Sequence, residues 1–138
     1  MGTHRLLEHT ADMGIEASGE TLEELFAQAA YGLLEIIAGN LEAHCREEQI
    51  VSVEGGDAEE LLVNWLNEIL YLFEIKRFFP FDFEIEEVRG NRVLARVRGE
   101  AFDPQRHPVE REVKAVTYHQ LLVEKTDGLW HARIYVDL

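Results

Sequence analysis

Two aspartates near opposite ends of the chain have the side chains best suited to binding a hard metal ion. Asp12 lies in the stretch EHTADMGI at 8–15, and Asp137 precedes Leu138 in RIYVDL at 133–138. Carboxylate oxygens are ligands that calcium, magnesium and manganese prefer. If the first and last strands run side by side, Asp12, Asp137 and the Leu138 carboxylate converge on one negative site that a divalent cation would stabilise. Spacing alone favours a simpler interpretation, in which Asp12 caps its own turn and Asp137 is exposed.

Three further residues are candidates for binding or proton transfer. Lys114 lies in a predicted strand between Val113 and Ala115. If those two apolar residues face the core, Lys114 points to solvent, where it could contact a phosphate or a carboxylate of a partner. His9 and His119 are auxiliary candidates, although a single histidine near a strand end is more often a hydrogen-bonded structural group.

The elements around the first aspartate are predicted to be short strands. Arg5–His9 and Gly14–Ala17 have strand-like composition, and they place Asp12 in the loop between them. Farther along, Ile50–Glu54 alternates as a half-buried strand and ends at a pair of glycines. The first candidate site is therefore predicted on a loop between strands.

Two amphipathic helices are predicted from capping residues and apolar periodicity. Thr21 has the capping-box spacing to Glu24, and apolar residues recur at helical intervals as far as Gly39. Asp57 begins a second helix, with a broad apolar face, whose last turn is predicted to reach Lys76 and Arg77. Its tryptophan and the phenylalanines that follow are interpreted as core, with an exposed docking patch as the alternative.

From residue 82 onward the apolar period changes to two, which predicts antiparallel hairpins. The predicted strands are Asp82–Val88, Val93–Glu100, Glu110–Val116, His119–Glu124 and Leu129–Leu138. This order lacks the regular alternation of a doubly wound sheet. The prediction is a single α+β domain over residues 1–138, with two amphipathic helices packed on a curved, largely antiparallel sheet.

Charge restricts the partners that the protein can attract. The 138 residues include 27 acidic and 13 basic side chains, a net charge of −14. Residues 1–60 hold 14 acidic and two basic side chains, so the first half carries most of this excess. Such a field repels nucleic-acid phosphates and attracts cations or basic protein surfaces. Any direct RNA contact is expected in the second half.

Several common kinds of site are missing from the sequence. It has no phosphate-binding GxxxxGK[ST] loop, no GxGxxG, no paired-cysteine zinc pattern and no GxSxG nucleophile elbow. No apolar run approaches the ~20 residues that span a bilayer, and no basic segment followed by an apolar one opens the chain. We expect a cytoplasmic protein that does not contact a membrane.

Five segments together resemble one family, the archeases. They are EHTADMGI at 8–15, LLVNWLNEILYLFE at 61–74, Gly99-Glu100 leading to Arg106-His107, VKAVTYH at 113–119 and WHARIYVDL at 130–138. The resemblance implies a small α+β protein that assists the RNA-splicing ligase joining a 5′-hydroxyl end to a 3′-phosphate or 2′,3′-cyclic-phosphate end. The resemblance further implies that such a protein promotes guanylylation of the ligase with GTP and its repeated turnover.

The resemblance also assigns roles to particular residues. The family's acidic positions fall on Asp12 and Asp137, its essential lysine falls on Lys114, and calcium is the cation associated with the acidic site. Met13 stands where valine is common, an exchange between apolar residues. RNA is then contacted only indirectly, through the basic surface of the ligase.

Three interpretations of the function follow from the sequence. The first is the non-catalytic ligase activator, which predicts no reaction by this protein alone. The second is a stand-alone metal-dependent hydrolase or nuclease that uses the same carboxylates to activate water. The third is a general acidic chaperone in which the aspartates are only structural.

Overall fold

The computed structural model describes residues 2–8, 12–39 and 47–138. Within these ranges the chain forms two helices and seven strands. In order they are β1 Thr3–Glu8, β2 Asp12–Gly19, α1 Leu22–Ala38, β3 Glu47–Glu54, α2 Ala58–Glu74, β4 Phe78–Arg89, β5 Arg92–Ala101, β6 Ala115–Thr126 and β7 Leu129–Asp137.

The strands form two antiparallel sheets that remain open. The four-stranded sheet has the order β1-β2-β7-β6, and the three-stranded sheet has the order β3-β5-β4. The predicted α+β class, with two helices and antiparallel strands, is confirmed. The strands form two sheets instead of one curved sheet, and the chain crosses between them twice, through α1 from β2 to β3 and through irregular structure from β5 to β6.

The two helices pack against both sheets and bury the core with them. Helix α1 contacts β2 of one sheet and β4 of the other, and α2 contacts β6 and β4. Both predicted caps are confirmed, since Thr21 Oγ1 accepts from the Glu24 amide at 3.1 Å and Asp57 Oδ1 accepts from the Glu60 amide at 2.8 Å. Trp65 is fully buried, and its Nε1 donates to the Phe26 carbonyl at 3.0 Å. The interpretation of Trp65 as core is therefore confirmed.

The predicted end of α2 is wrong. The helix ends at Glu74, so Lys76 and Arg77 lie beyond its last turn. Arg77 adopts a left-handed conformation with φ of 54°, which stops the helix. Phe78 and Phe79 are then buried as the first residues of β4, so burial of these rings determines where the chain turns.

The predicted strands Glu110–Val116 and His119–Glu124 are also wrong in their bounds. Residues 102–114 are irregular, and a single strand, β6, runs from Ala115 to Thr126 with a shift of register between Thr117 and Leu122. Gln120, within this bulge, has φ of 53°. Lys114 therefore precedes the strand. In the described part of the chain, neither helix is long and apolar enough to cross a membrane.

Candidate functional site

Strand pairing places the two candidate aspartates directly opposite each other. Asp12 is the first residue of β2, not a loop residue as predicted, and its partner across the sheet is Asp137 of β7. The condition that the first and last strands run side by side is not met, because the last strand pairs with β2 and not with β1. Side chains directly opposite in an antiparallel pair have Cβ atoms about 5 Å apart.

Apolar alternation fixes this register. The core-facing positions of the two strands are paired in order Met13 with Val136, Ile15 with Ile134 and Ala17 with Ala132, and all six are buried. A slip by one residue would turn every one of these side chains to solvent. The core therefore places Asp12 and Asp137 on the outer face of the four-stranded sheet.

The environment of Asp12 is unfavourable for a carboxylate. Its Oδ1 is buried and accepts no hydrogen bond from the described residues. An unsatisfied buried acceptor costs about 1–3 kcal/mol, and like charges directly opposite in a sheet add to that cost. The Asp137 side chain is exposed, and Leu138 after it packs its side chain against the core. The pair is a place where a cation would relieve an existing conflict.

Lys114 is joined to this pair through its backbone. The Lys114 amide donates to the Asp137 carbonyl at 2.9 Å, one residue before Ala115 pairs with Asp137 in the sheet. Val113 is buried and Lys114 is exposed, so the predicted outward orientation of the lysine is confirmed. Asp12, Asp137 and Lys114 thus lie on three neighbouring segments at one end of the sheet.

Of the two candidate histidines, His119 lies close to this end of the sheet. It is exposed in the β6 bulge, its amide donates to Thr117 Oγ1 at 3.2 Å, and its ring centroid is 6.1 Å from that of Tyr135. Tyr135 packs across Gly14, where a Cβ would come within 2.9 Å of the ring. His9 lies outside the described residues.

The same outer face carries a polar cavity that the sequence did not predict. It has a volume of about 440 Å³, and its lining includes Arg5, Glu16, Ser18, His131 and Arg133. A hydrogen bond from Arg5, helped by Arg133, lowers the pKa of the Glu16 carboxyl below its usual value. Glu16 pairs with Arg133 across the sheet, which is four residues along β2 from Asp12, or about 13 Å at 3.4 Å per residue.

The acidic pair is chemically suited to a hard cation but supplies only part of a coordination shell. Calcium takes 6–8 oxygen ligands and magnesium takes six. In the described part of the chain, no group of three or more His, Cys, Asp or Glu side chains is placed to hold a metal ion. Two carboxylates of this end of the sheet would therefore need water or oxygens from another molecule to complete the shell.

The fold and the site define a class of small α+β proteins in which an acidic pair lies at one end of an antiparallel sheet. A family model described as the archease protein family (MTH1598/TM1083) matches residues 4–138. The chain belongs to the archease family.

Individual relatives agree with this assignment along their whole length. The protein archease of Methanosarcina mazei is 42% identical, with 98% of this chain and 95% of that protein covered. The protein archease of Pyrococcus furiosus is 41% identical, with 95% of each chain covered.

Two solved structures show the same fold. The solution structure of Methanobacterium thermoautotrophicum protein 1598 has a TM-score of 0.81 and 31% identity, and the alignment covers 98% of each chain. The crystal structure of an archease from Thermotoga maritima, described as a possible chaperone, has a TM-score of 0.69 and 26% identity over 96% of this chain and 94% of that one.

Proposed function

We propose that this protein is a non-catalytic activator of the RNA-splicing ligase, which promotes guanylylation of the ligase with GTP and its multiple turnover. The observation that carries the proposal is the opposition of Asp12 and Asp137 beside Lys114. A pairing of like charges with an unsatisfied buried oxygen lowers stability, and such conflicts are expected where a site serves binding. Membership of the archease family supports the same role.

Charge supports a protein partner. A ligase that holds RNA and GTP must present basic surface, and a net charge of −14 would steer this protein toward it. RNA would be repelled by the same field, so it is contacted only through the ligase.

The acidic pair is proposed to hold a divalent cation, with calcium first and magnesium or manganese as alternatives. Asp12 and Asp137 would supply carboxylate oxygens, and the Leu138 carboxylate remains a predicted third ligand. The cation would supply positive charge at the sheet end, where a phosphate or a carboxylate of the ligase can bind. Lys114 provides a second positive group beside it and orients the same ligand.

The test is RNA joining by the cognate ligase with RNA in large excess, GTP and manganese, scored as turnovers per ligase. Wild-type protein is compared with Asp12→Ala and Lys114→Ala. Glu124→Gln and Lys76→Ala are matched controls, because each removes one exposed charge of the same sign elsewhere on the molecule. Wild type and both controls are expected to give many turnovers, and the two site variants are expected to leave the ligase near a single round.

Other outcomes would identify the alternatives. Equal turnover with Asp12→Ala and wild type would show that the acidic pair has no part in activation. Cleavage of RNA by the isolated protein with magnesium or manganese would favour the hydrolase. Suppression of aggregation that survives Asp12→Ala, without any effect on ligation, would favour the chaperone role suggested by the description of the Thermotoga protein.

A further inference from the structure

A buried, hydrogen-bonded pair of side chains, Glu100 and His107, lies outside the site described above. Among the described residues, Glu100 and His107 are the polar or charged residues that are buried, with 4% and 2% of their surface exposed. Glu100 is near the end of β5, and His107 lies in the irregular segment that follows. Burial of a carboxylate is costly unless it is paired, so this pair calls for an explanation.

The hydrogen bonds of the pair determine its protonation. The Asp103 amide donates to His107 Nδ1 at 2.9 Å, so this nitrogen is an acceptor and carries no hydrogen. The hydrogen is therefore on Nε2, which donates to Glu100 Oε1 at 2.8 Å. Arg106 places a guanidinium nitrogen 2.9 Å from the same carboxylate oxygen. The histidine ring therefore carries one hydrogen, on Nε2, and His107 and Arg106 converge on one oxygen of Glu100.

Aromatic rings hold the histidine in place and keep water away from it. The His107 ring stacks on Phe79 with centroids 4.5 Å apart and an interplanar angle of 20°. Phe102 lies on the same cluster, 5.9 Å from His107. Hydrogen bonds in such a low-dielectric environment are stronger than those at the surface.

The pair fixes the segment that delivers Lys114. Residues 102–114 connect the three-stranded sheet to the four-stranded sheet. The segment is bonded at its start by the Phe102 amide to the Arg77 carbonyl at 2.7 Å, in its middle by the Glu110 amide to the Ile37 carbonyl at 2.7 Å, and at its end by the Lys114 amide to the Asp137 carbonyl. Between the first and second of these bonds, the buried hydrogen bond from His107 to Glu100 holds the segment to β5.

We propose that Glu100 and His107 are positioning residues that hold the 102–114 segment so that Lys114 stays against Asp137. The functional importance of this placement rests on the proposed function, but the placement itself is testable in the isolated protein. The pair does not touch the ligand of the acidic site in this proposal. It acts through the segment.

The first test is amide hydrogen exchange in the isolated protein. His107→Phe keeps a ring in the aromatic cluster but removes the donor to Glu100, so exchange of the Lys114 amide should accelerate about tenfold or more, through local opening. The amides of Leu25 and Leu61, at the caps of the two helices, should change much less. His107→Gln, whose side-chain amide can donate to Glu100, should restore part of the protection.

A second variant covers the case in which His107→Phe does not fold. Arg106→Met removes the donor from the exposed side, where half of the Arg106 side chain is in solvent, and leaves the buried contact intact. It should accelerate the same amide by a smaller factor. Unchanged exchange at Lys114 in every folded variant, or equal acceleration of all three amides, would overturn the proposal.

The second test is a double-mutant cycle in the ligation assay. His107→Phe, or Arg106→Met if the former does not fold, should reduce turnovers per ligase in the wild-type background. It should have no further effect in Lys114→Ala, because the pair acts through that lysine. Losses that multiply would overturn the positioning role. If Lys114→Ala alone has no effect on turnover, the role proposed for Lys114 in activation is wrong. The exchange experiment then still decides whether Glu100 and His107 position the 102–114 segment.

Discussion

At the scale of single residues, Asp12 is the side chain that works against the fold. Its Oδ1 is buried without a hydrogen bond from the described residues, and the charge opposite belongs to another aspartate. The core residues on the other face of β2 and β7 leave no other register, so the conflict cannot relax by a slip of the strands. The position is stable because the core offsets its cost.

This cost predicts that Asp12→Asn is more stable than wild type in the absence of divalent cations. Removing one of two opposed charges should raise the free energy of unfolding by about 0.5–1 kcal/mol, and the melting temperature by about 2–4 °C in chelator. Calcium should then raise the melting temperature of wild type but not of Asp12→Asn, because a ligand that binds only the folded state stabilises it. Thermal unfolding with and without calcium measures both effects.

The control for this comparison is Glu124→Gln, which removes an exposed carboxylate from the same sheet. It should change neither the melting temperature nor its response to calcium by a comparable amount. An Asp12→Asn protein that melts below wild type in chelator would show that the pair is not repulsive. Equal calcium shifts in the two proteins would place the cation elsewhere.

At the scale of elements, local signals predicted the helices well and the strand pairing poorly. Thr21 and Asp57 cap their own helices by accepting hydrogen bonds from amides three residues further on, so the local sequence determines where each helix begins. The strand that pairs with β2 is β7, which lies almost the whole chain away in sequence. No rule based on local spacing can identify such a distant partner. The sequence therefore predicted which residues form the site, Asp12 and Asp137, but not that they lie on directly paired strands.

The errors at 75–77 and 110–114 have the same kind of cause. In both places, contacts distant in sequence decide the backbone. Phe78 and Phe79 are buried directly after α2, and the Glu110 amide bonds to the Ile37 carbonyl of α1 instead of to a neighbouring strand. Apolar alternation alone cannot detect either effect.

Cross-strand ion pairs tie the outer face of the four-stranded sheet together. Arg5 of β1 and Arg133 of β7 both contact Glu16 of β2. Because the folded-state pKa of Glu16 is lowered, its stabilising contribution is present above the unfolded pKa near 4.3 and is lost as pH falls through the folded value. The edge strand β1 depends on this triad in addition to its backbone bonds.

Glu16→Gln should therefore destabilise the protein more at neutral pH than in acid. The free energy of unfolding should fall by about 0.5–1 kcal/mol at pH 7, since the pair is partly exposed, and the difference should be smaller at pH 3, below the unfolded pKa. Urea unfolding at the two pH values measures it, with Glu124→Gln as the control carboxylate. A difference that persists undiminished at pH 3 would assign the effect to packing of Glu16 instead of its charge.

At the scale of the whole molecule, many basic side chains are already engaged within the fold. Arg98 on the three-stranded sheet contacts Glu48, Asp82 and Glu84, and the hydrogen bonds that it donates to Glu84 and Asp82 raise its pKa. Arg96 contacts Glu48 and Glu86 on the same face. These two arginines are therefore engaged with carboxylates of the same molecule and are not free to contact RNA. The second half of the chain is nearly neutral, so the acidic excess of the first half dominates the long-range electrostatic field.

This distribution predicts that association with the ligase is fast at low salt and slows steeply as salt rises. Between about 50 and 500 mM sodium chloride the association rate constant should fall about tenfold or more, while the dissociation rate changes less, because steering acts before contact. Stopped-flow or surface-based kinetics with the purified ligase measure both constants. The Asp12→Asn variant is compared with wild type in the same assay, because it removes only one of the 27 acidic charges.

Asp12→Asn should keep nearly the wild-type dependence of the association rate on salt and yet fail to activate ligation, because steering depends on the charge of the whole molecule and the proposed activation depends on the acidic pair. Direct binding of RNA by the isolated protein, weakening with salt in the same way, would contradict this assignment, because the polyanion itself would then be the partner. An association rate that does not depend on salt would show that the net charge of −14 serves solubility and not recognition of the partner.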